Sequence, residues 1–327
     1  MTLRNLLKLT LACTLMVILL GAYTRLSDAG LGCPDWPGCY GHFKVPSAAH
    51  ELARAESLFP DHTIDPTKAW PEMIHRYIAS SLGLLVILVL VACYRLKEAP
   101  RKLPIFILLL ILFQGALGAW TVTMKLMPVV VMSHLLGGFT LLSLLTLLYL
   151  RTSGFRIPGG DPGMRQYQRL ALACVGVLVA QILLGGWTSS NYAALACTEL
   201  PFCEGDWTTN LKIADAFSPF QGTHPSFEFG VLDYHARMTI HIAHRFGAMI
   251  TAALLGLLAF RMISRAHSKV LRHAGWVLAG FLVLQIGLGI SNVVLHLPLA
   301  IAVAHNLGAA FLLVTLVFIN YALWRKA

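Results

Sequence analysis

Thirteen histidines are spread through this chain of 327 residues, and four of them stand in matched settings. His75 begins His75-Arg76-Tyr77, and His244 begins His244-Arg245-Phe246. His134 opens His134-Leu-Leu-Gly-Gly138, and His305 opens His305-Asn-Leu-Gly308. Neutral imidazole is a strong ligand for transition metals near neutral pH. Zinc asks for three or four close ligands, whereas two imidazoles on facing helices suit the axial positions of a haem iron. Two matched pairs therefore fit haem better than zinc. For any one histidine, the plain alternative is a hydrogen bond between helices. Four at equivalent positions, each near small residues (Gly137, Gly138, Gly247, Gly308, Ala309), favour room for a flat ligand.

Other groups gather around the same positions. Glu72 stands three residues before His75, so on a helix it shares that face and can move a proton or stabilise a cation. The matching position before His244 holds His241, read as an interfacial side chain rather than a spare ligand. This asymmetry points to one pocket for chemistry and one for electron transfer. Arg76 and Arg245 each follow a histidine; an arginine within a span costs about 2.5–3.5 kcal/mol on insertion scales. Haem propionates would pair with them, or they snorkel to the interface. Cys33 and Cys39, and Cys197 and Cys203, are predicted to form two local disulfides, which persist outside the cytoplasm. Zinc binding is the alternative, and a redox role for Cys33–Cys39 stays open. Cys13, Cys93 and Cys174 read as small apolar packers.

The elements that must position these groups are membrane spans. Hydrophobic residues make up 57% of the chain and charged residues 12%, half the charge of a soluble domain. Eight apolar segments reach the ~20 residues that a span needs: 6–23, 73–93, 103–122, 129–150, 170–189, 240–260, 274–294 and 299–323. Two long loops, 24–72 and 190–239, interrupt them. Polar residues 48–67 carry no assigned element, and His50 and His62 there read as solvent-exposed. With eight spans, 16 of the 25 basic residues fall on one side: Arg4, Lys8, Arg95, Lys97, Arg101, Lys102, Arg151, Arg156, Arg165, Arg169, Arg261, Arg265, Lys269, Arg272, Arg325 and Lys326. The positive-inside bias makes that side cytoplasmic, with both termini there and both cysteine loops outside. It also accounts for the net charge of +10 without nucleic acid.

The chain repeats itself. Gly21 to Gly41 aligns without a gap to Gly185 to Gly205, an offset of 164 residues (197 − 33 for the first cysteines). Cys, acid, Pro, Cys and Gly coincide. Segment 6–23 is therefore a retained span and not a cleaved signal peptide. Gln114-Gly-Ala-Leu-Gly118 likewise mirrors Gln285-Ile-Gly-Leu-Gly289. The expected architecture is an all-α integral membrane protein of two pseudo-symmetric four-helix bundles, residues 1–155 and 156–327. An even number of helices per half relates the halves by an axis along the membrane normal.

At these residues the chain resembles a known family. Arg25-Leu-Ser-Asp-Ala-Gly-Leu-Gly-Cys-Pro-Asp-Trp-Pro-Gly-Cys-Tyr-Gly41, Glu72-Met-Ile-His-Arg-Tyr77, His134-Leu-Leu-Gly-Gly138, His244-Arg245 and His305-Asn-Leu-Gly308 are similar to the haem A synthases, over nearly the whole length. The resemblance implies oxidation of the C8 methyl of haem O to the formyl of haem A, by successive hydroxylations and loss of water, for cytochrome oxidase assembly. It implies His244 and His305 as ligands of a haem b cofactor. It implies His75 and His134 as ligands of the substrate haem O, with Glu72 as the catalytic carboxylate. The implied partners are haem O, a haem O synthase (a farnesyltransferase), an electron donor and membrane lipid; a homo-oligomer is open. Two other readings stand beside it: a bis-histidine cytochrome b that only passes electrons, and a haem transporter or chaperone. Neither needs Glu72.

Overall fold

The computed structural model describes residues 2–96, 99–157 and 160–325. Lys97 and Lys326 lie outside them. The described residues are helical, with no strand among them. Eight helices are long and apolar enough to cross a membrane: α1 (Leu3–Leu26), α3 (Pro66–Arg95), α4 (Lys102–Thr123), α5 (Pro128–Thr152), α6 (Gln168–Ser190), α8 (Tyr234–Arg265), α9 (Lys269–Val294) and α10 (Leu299–Trp324). The chain is a multi-pass membrane protein. Two short helices, α2 (Ala49–Leu58) and α7 (Ile213–Ala216), lie in the long connections.

All eight expected spans are present. The two that carry the histidine-arginine pairs start earlier than hydropathy sets them, α3 by seven residues (73 − 66) and α8 by six (240 − 234). Their first turns are polar, so an apolar window misses them. Capping chemistry marks the true starts. Asp65 accepts from the Thr67 amide, with Pro66 following at the first helical position, where proline is pre-organised. Asp233 accepts from the Ala236 amide at 2.9 Å. Glu72 and His75 therefore sit inside regular helix, one turn apart on a common face.

The packing runs in two circuits. Helix α1 packs on α3 and α5, and α4 packs on α3 and α5; α6 packs on α8 and α10, and α9 packs on α8 and α10. Within each circuit the two histidine-bearing helices, α3 with α5 and α8 with α10, sit diagonally, with no close backbone approach between them. A diagonal pair leaves an interior gap that side chains from both can enter. Helix α5 packs on α6 and α10, and α1 packs on α10, which joins the circuits. Leu7, Val86, Ile107 and Leu145 form one buried cluster; Leu178, Leu255, Leu278 and Leu316 form another, which also takes in Ile18 and Phe139. With no water in the hydrocarbon core, buried hydroxyls turn to their own helix: Thr10, Thr146, Thr251 and Thr315 each donate to the carbonyl four residues back.

The repeat extends to the backbone. Positive φ recurs at Asp28 and Tyr192, 164 apart, and at the pairs Lys125–Leu126 and His296–Leu297, 171 apart. The latter two are tight left-handed turns joining α4 to α5 and α9 to α10. The loops gather at two opposite ends. At one, the Arg25 guanidinium donates to the Ser189 carbonyl (2.7 Å) and covers the Tyr192 ring. At the other, Gln168 reaches the Leu323 carbonyl and the Tyr321 hydroxyl reaches that of Leu150.

Candidate functional site

Each of the four histidines lies against a glycine from the preceding span. A Cβ added at Gly21 would fall 2.9 Å from the His75 ring, at Gly118 3.5 Å from His134, at Gly185 3.2 Å from His244, and at Gly289 3.1 Å from His305. At Gly21, Gly185 and Gly289 a side chain would crowd the ring, so glycine lets the imidazole approach; at Gly118 the contact would be ordinary. The glycines obey the repeat: 21 and 185 differ by 164, and 118 and 289 by 171. The rings are half-buried. His134 is within electrostatic reach of His75, and His305 of His244. The Nδ1 atoms of His75, His134 and His305 are buried without a hydrogen-bond partner, an arrangement that native structures avoid unless a bound group completes it.

Three glutamines accompany the histidines. The Gln181 amide nitrogen lies 3.0 Å from His244 Nδ1 and donates to the His244 carbonyl at 2.9 Å. That of Gln285 lies 3.3 Å from His305 Nε2. Gln114, Gln181 and Gln285 occupy the space beside Gly137, Gly247 and Gly308, each three residues past a histidine, where a Cβ would collide with the amide. Gln114 and Gln285 stand in the repeat, but only the tertiary structure ties them to the imidazoles.

Glu72 is buried, 5% exposed. Its carboxylate pairs with the Arg76 guanidinium and accepts the Cys33 backbone N–H at 2.9 Å. Both cysteine pairs are disulfides, Cys33–Cys39 and Cys197–Cys203. Their sulfurs are thus bonded to each other, as the disulfide reading expects. Arg76 also donates to the carbonyls of Asp35 (3.0 Å), Pro37 (3.3 Å) and Gly38. Arg245 donates to those of Cys197 (2.8 Å), Glu199 (2.6 Å) and Pro201 (3.3 Å). The arginine after each histidine therefore holds the disulfide loop over its own bundle.

His241 departs from expectation. It is 4% exposed, not interfacial. The second cysteine loop covers the start of α8: Cys197 and Cys203 pack with Met238 and Ile242, and Ala193 and Trp187 with Ile240. The stretch 48–67 contains helix α2, closed at its start by Glu51, whose carboxylate accepts the amides of Ser47 and Ala48. His50 and His62 are exposed, as expected. Cys93 and Cys174 are buried thiols, and Cys13 is half-buried.

Fold and site together define a polytopic membrane protein with paired, glycine-cradled histidines inside helical bundles and a buried carboxylate beside one pair. The chain belongs to the cytochrome oxidase assembly protein family COX15-CtaA, whose model matches residues 4–317. It is 68% identical to a heme A synthase of Shewanella oneidensis, over 100% of this chain and 98% of that protein. It is 27% identical to a heme A synthase of Halalkalibacterium halodurans (95% and 93%) and 26% identical to one of a Caulobacter species, strain K31 (91% and 89%).

Proposed function

We propose that this chain is a haem A synthase, an oxidoreductase acting on a CH group. It converts the C8 methyl of haem O to the formyl of haem A, for cytochrome oxidase assembly. Two hydroxylations of the methyl give a gem-diol, and loss of water leaves the aldehyde. The observation that carries the reading is the match in full length to a heme A synthase at 68% identity. A buried glutamate stands beside only one of the two histidine pairs.

The residues fit haem. Buried Nδ1 atoms of His75, His134 and His305 lack hydrogen-bond partners, and glycines keep each ring close to its neighbour's backbone. Residues 1–155 form the substrate half, with His75 and His134 as ligands of the iron of haem O. Residues 156–327 form the cofactor half, with His244 and His305 as ligands of haem b, which supplies electron transfer. Glu72 is the catalytic carboxylate. Its ion pair with Arg76 and its bond from the Cys33 amide fix its orientation, so that it meets positive charge or a proton at the reacting carbon. Arg76 and Arg245, each following a histidine and bound to the loop above it, would be the propionate partners. The protein lies in the inner membrane with both termini cytoplasmic and both disulfide loops outside. Haem O reaches it from a haem O synthase, and an electron donor serves the haem b half.

The test is haem extraction and chromatography from cells that also make haem O. Wild type should accumulate hydroxylated haem and haem A, and Glu72→Ala should lose most of both. Unaltered haem O in both would overturn the assignment and leave an electron-transfer or haem-carrying protein.

A further inference from the structure

The four histidine sites share one local plan, and one of them breaks it. A glutamine stands four residues before the glycine that faces the ring: Gln114 before Gly118, Gln181 before Gly185, Gln285 before Gly289. The amide lies over a second glycine three residues past the histidine, namely Gly137, Gly247 and Gly308. At the fourth site the facing glycine, Gly21, is kept, but Val17 stands at the glutamine's position and Ile78 at the second glycine's. Both departures concern His75, the histidine next to Glu72. Only there is the amide replaced together with the space it needs.

An amide carries a donor and an acceptor and can serve either tautomer of imidazole. A group that accepts the N–H of the far ring nitrogen fixes the ring's orientation and raises its basicity toward a metal. Gln181 lies 3.0 Å from Nδ1 of His244 and Gln285 lies 3.3 Å from Nε2 of His305; where the amide oxygen takes the N–H of that ring nitrogen, the other nitrogen is left for iron. Gln114 is buried with its amide nitrogen unpartnered over Gly137, three residues past His134, whose Nδ1 is also unpartnered. His75 has a buried, unpartnered Nδ1 and no amide beside it.

We propose that Gln114, Gln181 and Gln285 are positioning residues that fix the imidazoles of His134, His244 and His305, and that Val17 and Ile78 leave His75 as the one exchangeable ligand. This rests on the haem-ligand reading above. It matches the different demands on the two halves: a cofactor stays, while a substrate enters, reacts and leaves. A bundle with one fixed and one releasable ligand holds a haem without trapping it.

Carbon monoxide binds ferrous haem only where an axial ligand yields, so it reads ligand release directly. The full-length protein, supplied with two equivalents of haem b as probe, is reduced and titrated with carbon monoxide, with haem content counted separately. In the wild type, one haem of two should react. Gln181→Leu should make the second haem reactive, with affinity raised about fivefold for one lost hydrogen bond; Gln181→Glu should restore resistance. Val17→Gln combined with Ile78→Gly should protect the first haem. A purely structural glutamine would lower haem content and leave the reactivity of the retained haem unchanged, and that result would overturn the proposal. Two equally reactive haems in the wild type would do the same. Failure of the wild type to retain any haem would remove the haem-ligand reading, and this proposal with it.

Discussion

Gly32→Ala tests how the first disulfide loop governs Glu72. Gly32 lies on the backbone of α3: an added Cβ would fall 2.5 Å from the Lys68 carbonyl carbon and oxygen and 2.7 Å from the Ala69 nitrogen. Backbone inside a helix cannot yield as a side-chain tip can, so the loop must lift. Overpacking of this kind costs about 1–3 kcal/mol. The next residue is Cys33, whose N–H reaches Glu72 at 2.9 Å. Bringing the added Cβ from 2.5 Å to ordinary contact at 3.4 Å takes a shift of roughly 0.9 Å, enough to break that bond, and a hydrogen bond to a charged group contributes about 1.5–3 kcal/mol. If the bond orients the carboxylate for the reaction, turnover falls about tenfold to a hundredfold. The assay is haem A formed per enzyme in membranes, with detergent melting temperature as a second readout. Gly83→Ala is the control, because nothing lies within 4 Å of its added Cβ. Gly32→Ala with wild-type turnover and melting temperature would refute the coupling of loop to carboxylate. Loss of stability with full turnover would show that the loop is only a staple.

Gly289→Val should push the His305 ring, 3.1 Å from the added Cβ, and release one haem per chain. Pyridine haemochrome counting checks it, with Gly287→Val, which meets nothing within 4 Å, retaining both. At the start of α2, the Ser47 amide, the Lys44 ammonium and the Ala48 amide hold the Glu51 carboxyl down to about 2. A depressed acid stabilises above its ordinary value, so α2 should be intact at neutral pH and loosen as pH falls from about 4.5 toward 2. Hydrogen exchange of residues 47–58 reads this, and Glu51→Gln should show the loosened rate at every pH.

Much of the architecture was legible because lipid imposes simple rules. Every apolar segment of the right length is a helix, since only a helix satisfies its own backbone in hydrocarbon. The four histidines, Glu72 and the two disulfide pairs emerged from the internal repeat, which compares the chain with itself. The starts of α3 and α8 were missed by hydropathy, because polar turns are silent to it, although Asp65-Pro66 and Asp233 are capping signals. Helix α2 was missed because it is too short and too polar for a hydropathy window to register. His241 was misplaced because its burial comes from a loop that folds back from forty residues away.

The sequence by itself determined the number of spans, the repeat, and the residue types that could bind haem and do chemistry. Those properties depend on local composition and on spacing along one helix. The tertiary structure alone decided that α3 faces α5 and α8 faces α10 diagonally, that Arg76 and Arg245 hold loop carbonyls, and that the Cys33 amide meets Glu72. It also decided that Gln181 and Gln285 reach His244 and His305 while Val17 takes the corresponding place in the His75 site. These contacts join helices to other helices or to loops, 20 to 63 positions apart. Their partners follow from how helices pack around the bundle, which no single segment's periodicity encodes.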